Sequence, residues 1–359
     1  MLIAGPSKAG KSFSLIEMSI AIAEGRKWLN WNCTQGKVLY VNLELDRASC
    51  LHRFRDVYEA MGLQANNLQN IDIWNLRGKT VPMDKLAPKL IRRSLKKNYI
   101  AVIIDPIYKV LTGDENSADQ MAHFTNQFDK VATELGCSVI YCHHHSKGSQ
   151  SGKKSMDRAS GSGVFARDPD ALIDLVELEV TEELYTQRIN HTACRIYKEA
   201  LQEKNNTYYQ QYVSLDDLYN ASSMRAHFEK GIQDVLDRAP YVDKINDTRR
   251  AIEISTAWRV EGTLREFAKF KPVNMWFSYP VHFLDDSGVL ADIQLEETTP
   301  NWKKNLDSQK ANEKKKKSAD EKFTTAMDVL FDGINPVELS EMVEYFSTED
   351  KPVSEKTIR

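Results

Sequence analysis

Apolar runs alternate with amphipathic stretches along the first half of the chain. Residues 37–43 are mostly apolar and β-branched, and residues 100–105 form a continuous apolar run that ends on a carboxylate, the pattern of strands covered on both faces. Shorter runs at residues 2–4, 71–74 and 138–142 predict further strands. Helical spacing predicts helices at about residues 11–24, 47–61, 83–97 and 117–135. We therefore expect an α/β fold with a mainly parallel sheet, whose ligand lies at the carboxyl ends of the strands.

The pattern becomes weaker in the second half. A strand is predicted at about residues 170–180, and residues 181–254 are polar and mostly helical. Two later strands are predicted at residues 258–264 and 275–280. These elements predict one large α/β domain over residues 1–297, in which the helical stretch at about 181–254 is an insertion.

Composition changes sharply beyond residue 297. Residues 302–322 hold eight lysines against four acids and almost no core residues. We interpret residues 298–322 as a lysine-rich linker, because a charge run of this kind usually remains solvated. A basic patch that contacts nucleic acid is the alternative for the same run.

The residues after the linker include apolar side chains at helical spacing. They are Phe323, Met327, Leu330 and Phe331, followed by Leu339, Met342, Val343 and Phe346. With a further helix that starts behind Ser354, they resemble a winged helix-turn-helix cut short at its recognition helix, and we assign it to residues 323–359. A small helical packing or oligomerisation unit is the alternative. Both ends of the chain look cut.

Charge and cysteine content limit the class of protein. The 359 residues are 42% hydrophobic with a net charge of -3, which suits ordinary packed cores and gives no general attraction to nucleic acid. Five cysteines stand without a C-x-x-C pair, which fits reduced structural thiols better than disulfides or a zinc site. No apolar run approaches the roughly 18 residues of a membrane span, and no signal segment opens the chain. We expect a cytoplasmic protein without a membrane partner.

The strongest functional signal lies between the first predicted strand and the first predicted helix. Residues 5–12 read G-x-x-x-x-G-K-S, a complete phosphate-binding loop whose backbone N–H groups surround a β-phosphate. Lys11 should neutralise the β- and γ-phosphates, and Ser12 should hold Mg²⁺. We predict that the chain binds ATP with Mg²⁺. Nucleotide binding is assigned to Gly5, Pro6, Ser7, Lys8, Ala9, Gly10, Lys11, Ser12 and Phe13.

Two carboxylates follow strand ends at the predicted ligand edge. Asp105 closes the strand at residues 100–105, where a Walker B acid meets the Mg²⁺ shell. Glu44 follows the strand at residues 37–43 and is the best candidate to orient and deprotonate the attacking water, with Asp46 a weaker choice. The alternatives are a helix cap or turn former at Asp105 and an exposed first-turn acid at Glu44.

Three histidines follow the strand at residues 138–142. His143, His144 and His145 cannot all face one ligand, and no partner at helical spacing supports a zinc site. We expect one of the three to contact the γ-phosphate and to distinguish triphosphate from diphosphate. Structural histidines in a polar turn are the alternative.

A segment rich in Ser and Gly comes next, at residues 148–163, and predicts a mobile surface loop. Together with the preceding Lys147, its cations Lys153, Lys154 and Arg158 would contact DNA phosphates. Either Arg158 or Arg167 could act as a finger on the nucleotide of a neighbouring subunit. An ion pair with Asp168 or Asp170 is the alternative for Arg167.

Four segments together resemble the RecA-type ATPases of the RepA replicative helicase group, found in plasmids, phages and integrated mobile elements. They are residues 5–12, 41–44, 102–106 and 143–148, and the resemblance covers roughly residues 1–300. It implies a RecA-like core that forms a ring hexamer with ATP between subunits and moves along single-stranded DNA. The residue roles it implies are phosphate and metal binding by Lys11 and Ser12, a catalytic carboxylate at Glu44, a Walker B acid at Asp105, a γ-phosphate sensor at His144 and a finger in trans at Arg167.

We therefore expect a Mg-ATP-hydrolysing, ring-forming DNA helicase or translocase that serves replication of a mobile element or phage. The expected partners are single-stranded DNA, further copies of the chain in a hexamer, and a replication initiator or primase. Two other functions remain open. One is a regulatory or loader ATPase that binds duplex DNA without acting as a motor, and the other is a scaffold in which ATP holds subunits together.

Overall fold

The structure is a computed structural model that describes residues 1–145, 158, 167–291, 293, 326, 330 and 337–347. The chain divides into two units, Met1–Glu296 and Glu297–Arg359. The described residues of the first unit form a nine-stranded sheet and a separate two-stranded hairpin. The strands of the sheet are β1 (Leu2–Gly5), β4 (Lys37–Asn42), β5 (Ile71–Asn75), β6 (Tyr99–Asp105), β7 (Ser138–His144), β8 (Ala171–Leu178), β9 (Thr256–Leu264), β10 (Val273–Ser278) and β11 (Val281–Leu284). The hairpin consists of β2 (Lys27–Trp28) and β3 (Trp31–Asn32).

The strand order is β11-β10-β9-β8-β1-β7-β6-β4-β5. Every pairing from β8 to β5 is parallel, whereas β9, β10 and β11 pair antiparallel at one side. The predicted mainly parallel α/β sheet is therefore confirmed. Because parallel strands share one direction, the residues that follow β1, β4, β6 and β7 all lie at one edge.

Alternate residues of the parallel strands face two separate cores. Ile3, Tyr40 and Ile103 pack with helices α1 (Lys11–Glu24) and α2 (Arg47–Ala60) on one face. Their chain neighbours, such as Leu39 and Val102, pack on the other face with α3 (Met83–Ser94) and α4 (Ala118–Leu135). Both faces of the strands are thus buried, which explains their continuous apolar sequences.

The predicted insertion is helical in the structure. Its helices are α5 (Glu182–Lys204), α6 (Asn206–Tyr212), α7 (Ala221–Gly231) and α8 (Val235–Glu253). They enclose a small core of their own, built around Cys194, Leu201 and Phe228. Side-chain caps define two of the helix starts: Thr181 accepts a hydrogen bond from the Leu184 N–H, and Asn220 accepts from the Ser223 N–H.

One strand assignment made from the sequence differs from the structure, and one hairpin was not predicted. The strand predicted at residues 275–280 is a hairpin, in which β10 ends at Ser278 and Tyr279-Pro280 forms the turn into β11. Proline lacks an N–H for the strand ladder, so the run breaks there. The short β2–β3 hairpin has no predicted counterpart, since two-residue strands carry no periodic signal.

The second unit is described only in part. Helix α9 (Leu339–Phe346) is present at the predicted position, with a capping box between Glu338 and Glu341 at its start. The linker at residues 298–322, most of residues 323–359 and the helix expected after Ser354 lie outside the described residues. The winged helix-turn-helix stays a prediction. No helix in the described part of the chain combines the length and apolarity needed to cross a bilayer.

Gly262 supplies a test of the sheet. It lies in β9 opposite Ile173 of β8, and a Cβ there would lie 2.7 Å from both the Leu172 carbonyl oxygen and the Phe270 ring. Gly262→Ala should therefore destabilise the domain by about 1–3 kcal/mol, as overpacking does. Urea unfolding measures the effect, with Thr263→Ala on the exposed neighbouring position as the control. Equal unfolding midpoints for the two variants would contradict this packing.

Candidate active site

The phosphate-binding loop joins β1 to α1. Gly10 caps α1 in the left-handed conformation, with φ of 71°. A Cβ at Gly10 would lie 2.9 Å from the His282 ring, so both the backbone angle and the close neighbour require glycine. No side chain caps the start of α1. The N–H groups of its first turn therefore suit an anionic ligand.

Lys11 is the first residue of α1. Its ammonium donates hydrogen bonds to the carbonyl oxygens of Gly5 (2.8 Å) and Pro6 (2.6 Å), and Nζ lies 3.3 Å from Nδ1 of His144. Burial lowers the pKa of Lys11, and the nearby Asp105 carboxylate partly offsets this effect. The lysine thus brings a cation to the loop and to the end of β7.

Asp105 ends β6 with its side chain buried. One carboxylate oxygen accepts hydrogen bonds from the Ser12 hydroxyl (3.2 Å) and the Cys142 thiol (3.1 Å). The other accepts from the Tyr40 hydroxyl at 2.5 Å. Burial, followed by the Asp105 charge, raises the pKa of both Tyr40 and Cys142, so both keep their protons and act as donors.

Ser12 and Asp105 supply the oxygen pair that a nucleotide-bound Mg²⁺ needs. Mg²⁺ prefers oxygen ligands and is held in such sites by one or two protein groups together with phosphates and water. No cluster of three or more His, Cys, Asp or Glu side chains with metal-binding geometry occurs among the described residues. The donor set therefore fits a metal that arrives with a phosphate ligand.

Glu44 follows β4 and presents an exposed side chain to the same pocket. The buried Asn42, two residues earlier, holds its backbone: Oδ1 accepts hydrogen bonds from the N–H groups of Glu44 (3.3 Å) and Leu45 (2.9 Å). Its Nδ2 donates to the Leu45 carbonyl and to Oδ1 of Asn75, both at 2.8 Å. No role was predicted for Asn42, although an asparagine inside an apolar strand is unusual.

The three consecutive histidines have different neighbours. His144 is half-buried and faces Lys11. His143 is buried, with Nε2 3.8 Å from a Glu115 carboxylate oxygen. His145 pairs at 2.5 Å with Asp174 of β8. Of the three, only His144 therefore has its ring against the lysine of the phosphate-binding loop.

The two arginines considered as fingers lie in different places. Arg158 is 3% exposed and pairs with the carboxylates of Asp174 and Glu261, each at 2.7 Å. The expectation that Arg158 contacts DNA from a surface loop is therefore wrong, because its guanidinium is buried between these two acids. The other cations expected to contact DNA, Lys147, Lys153 and Lys154, lie outside the described residues.

Arg167 is exposed and lies just before β8. Because β8 runs parallel to β1, this position is at the sheet edge opposite the phosphate-binding loop of the same chain. The structure does not bring Arg167 to the pocket of its own chain. A role on a neighbouring subunit stays a prediction.

One pocket at the carboxyl edge of the sheet is lined by most of the other predicted residues; Gly5, Pro6 and Ser7 do not line it. Its polar wall contains Lys8, Lys11, Ser12, Glu44, Asp105 and His144. Its other wall contains Phe13, Arg53 and Phe277. Arg53 and Phe277 had no assigned role in the sequence analysis, because they come from α2 and from β10 near the other end of the domain.

A family model described as an AAA domain matches residues 1–150. This range contains the phosphate-binding loop, Glu44, Asp105 and His144, and it ends before β8. No curated protein matches the chain. The family match and the mainly parallel sheet together give a RecA-like P-loop core, and they support nucleotide binding and ATPase activity.

The environment of His144 makes a testable prediction. Burial first, and the Lys11 ammonium second, lower the pKa of His144 below 6.5. As the pH falls through 6.5, the unfolded chain therefore binds a proton on His144 before the folded chain does. The contribution of His144 to the free energy of unfolding is complete above pH 6.5 and decreases below it. Lys11→Met should raise the pKa of His144 in an NMR titration. Lys8→Met, on the exposed part of the loop, should leave the pKa of His144 unchanged. The same pKa in the unmodified chain, Lys11→Met and Lys8→Met would contradict the contact between Lys11 and His144.

Proposed function

We propose that the chain is a Mg²⁺-dependent ATPase that forms a ring and moves along single-stranded DNA in the replication of a mobile element or phage. The observation that supports the chemistry is a single pocket that contains Lys11, Ser12, Glu44, Asp105 and His144. The motor function is supported by the resemblance of the same segments to RepA-type helicases. A replication initiator or primase would be a further partner.

The phosphates lie at the start of α1 in this proposal. Lys11 and the first-turn N–H groups supply the positive charge that a triphosphate requires. Ser12 and Asp105 would hold Mg²⁺, which neutralises charge on the β- and γ-phosphate oxygens when it is bound. Tyr40 and Cys142 keep the Asp105 carboxylate in place through their hydrogen bonds.

Glu44 orients the water that attacks the γ-phosphorus and accepts its proton. Its exposed carboxylate lines the pocket, while Asn42 fixes the backbone on which it stands. His144 contacts the γ-phosphate. Burial and the Lys11 ammonium lower its pKa, which favours a neutral imidazole that donates a hydrogen bond over a second cation beside Lys11.

Ring formation would complete the site. Arg167 is exposed at the edge opposite the pocket of its own chain, and head-to-tail contacts in a ring bring unlike edges of neighbouring copies together. The Arg167 guanidinium of one copy would then stabilise the transition-state charge on the nucleotide of the next. We propose a hexamer as the closed assembly.

Glu44→Gln tests the hydrolytic role. The variant should lose about 100-fold or more of its steady-state ATPase rate, because the amide cannot accept the proton of the attacking water. Its affinity for Mg-ATP, measured by calorimetry, should stay near that of the unmodified chain. Glu59→Gln provides a matched control on α2, since Glu59 is exposed. A normal rate in Glu44→Gln would refute the assignment.

Single-stranded DNA tests the motor function. ATP turnover by the full chain should rise several-fold when a single-stranded oligonucleotide is added at low salt, and the effect should decline as salt increases, because phosphate contacts release counterions. A duplex of the same length serves as the comparison. Stimulation by duplex alone would favour a regulatory or loader ATPase. No stimulation, with assembly that depends on ATP, would favour a scaffold.

A further inference from the structure

Aromatic side chains line the pocket beside the phosphate-binding loop. Phe13, in the first turn of α1, lies with its ring centroid 5.6 Å from that of Phe277 and 5.3 Å from that of Tyr279. The Arg53 guanidinium lies over the Phe13 ring, 4.9 Å from its centroid. Phe13, Phe277 and Arg53 share the pocket with Lys11 and Ser12. An apolar, π-rich surface therefore begins where the phosphate-binding groups end.

The β10–β11 hairpin carries two of these rings and is fixed to the helix that carries the third. His282 of β11 donates its backbone N–H to the Glu17 carboxylate at 3.0 Å, and its Nδ1 lies 2.8 Å from the same oxygen. Ser14 lies 3.3 Å from that nitrogen. Glu17 is one helical turn from Phe13, and both Glu17 and His282 are buried. The aromatic rings are thus held in position before any ligand arrives, which lowers the entropic cost of binding.

The partial exposure of these aromatic side chains distinguishes them from a group of core residues. Tyr279 is 65% exposed at the tip of the hairpin, and Phe13, Arg53 and Phe277 are only partly buried. Large aromatic side chains contribute to stability when they are buried, so a group of them that stays partly exposed beside a phosphate-binding loop suits a ligand that covers the remaining surface. A nucleotide matches the two adjoining surfaces, because its phosphates are anionic and its base is a flat π system.

We propose that Phe13, Arg53, Phe277 and Tyr279 form the binding surface for the base and ribose of the nucleotide whose phosphates contact Lys11. This inference rests on the proposed ATPase function. Two of the residues belong to β10 and its turn, beyond the span of the AAA-domain match at residues 1–150. The rings and the guanidinium recognise the π face that all bases share, so the surface supplies affinity rather than a choice between bases.

The test compares two ligands that share a diphosphate and differ in the nucleoside. ADP and inorganic pyrophosphate are titrated into the full chain with Mg²⁺ by calorimetry, which avoids hydrolysis. Tyr279→Ala and Phe277→Leu should each weaken ADP binding by about 5- to 100-fold, the range for loss of one stacking side chain. Pyrophosphate binding should remain unchanged, and Tyr279→Phe should bind ADP as the unmodified chain does.

Tyr219→Ala, at an exposed tyrosine in the helical insertion, is the control for loss of a surface aromatic side chain. The inference is overturned if the unmodified chain binds ADP and both Tyr279→Ala and Phe277→Leu bind it equally well. It is also overturned if these variants weaken the binding of ADP and of pyrophosphate to the same extent. Absence of ADP and pyrophosphate binding by the unmodified chain would instead refute the proposed function, and with it this inference. Thermal unfolding shows whether Phe277→Leu remains folded. Because Tyr279 is exposed, Tyr279→Ala tests the inference independently of any loss of core packing.

Discussion

The hydrogen bonds to Asp105 connect the elements that build the pocket. This carboxylate accepts from Ser12 at the start of α1, from Tyr40 in β4 and from Cys142 in β7. A buried carboxylate without donors would be strongly unfavourable, so these contacts stabilise the charge as well as its position. Because Asp105 itself ends β6, three adjacent strands and the phosphate-binding loop are held in one arrangement at the sheet edge. The positions of Lys11, Glu44 and His144 follow from that arrangement.

Much of this edge could be predicted from the sequence because local patterns determine it. Runs of mostly apolar, β-branched residues identify β4 and β6, and parallel strands place the residues after them on one side of the sheet. Lys11, Glu44, Asp105 and His144 each stand at or just beyond a strand or loop end, where such an argument applies. Their roles remain predictions, whereas the mainly parallel sheet that brings them together is established by the strand pairings.

Residues whose position depends on distant partners could not be predicted in the same way. Arg158 stands in a polar, Ser- and Gly-rich segment, yet its partners Asp174 and Glu261 are 16 and 103 positions away. The sequence feature that could have indicated the burial of Arg158 is Asp174, because a carboxylate inside the apolar strand β8 requires a buried partner. Phe277 likewise lies in a hairpin that Glu17 and His282 attach to α1, through a contact that spans 265 positions.

The place of β1 in the sheet has a consequence for folding during synthesis. β1 pairs with β7 on one side and β8 on the other, so the strand that precedes the phosphate-binding loop is enclosed only after Leu178 has left the ribosome. Until then the nascent chain carries an apolar strand with an unpaired edge, the kind of surface that invites aggregation or chaperone binding. A fragment ending at residue 150 would keep that edge open permanently. The span that the AAA-domain model matches therefore lacks the strand that covers one edge of β1.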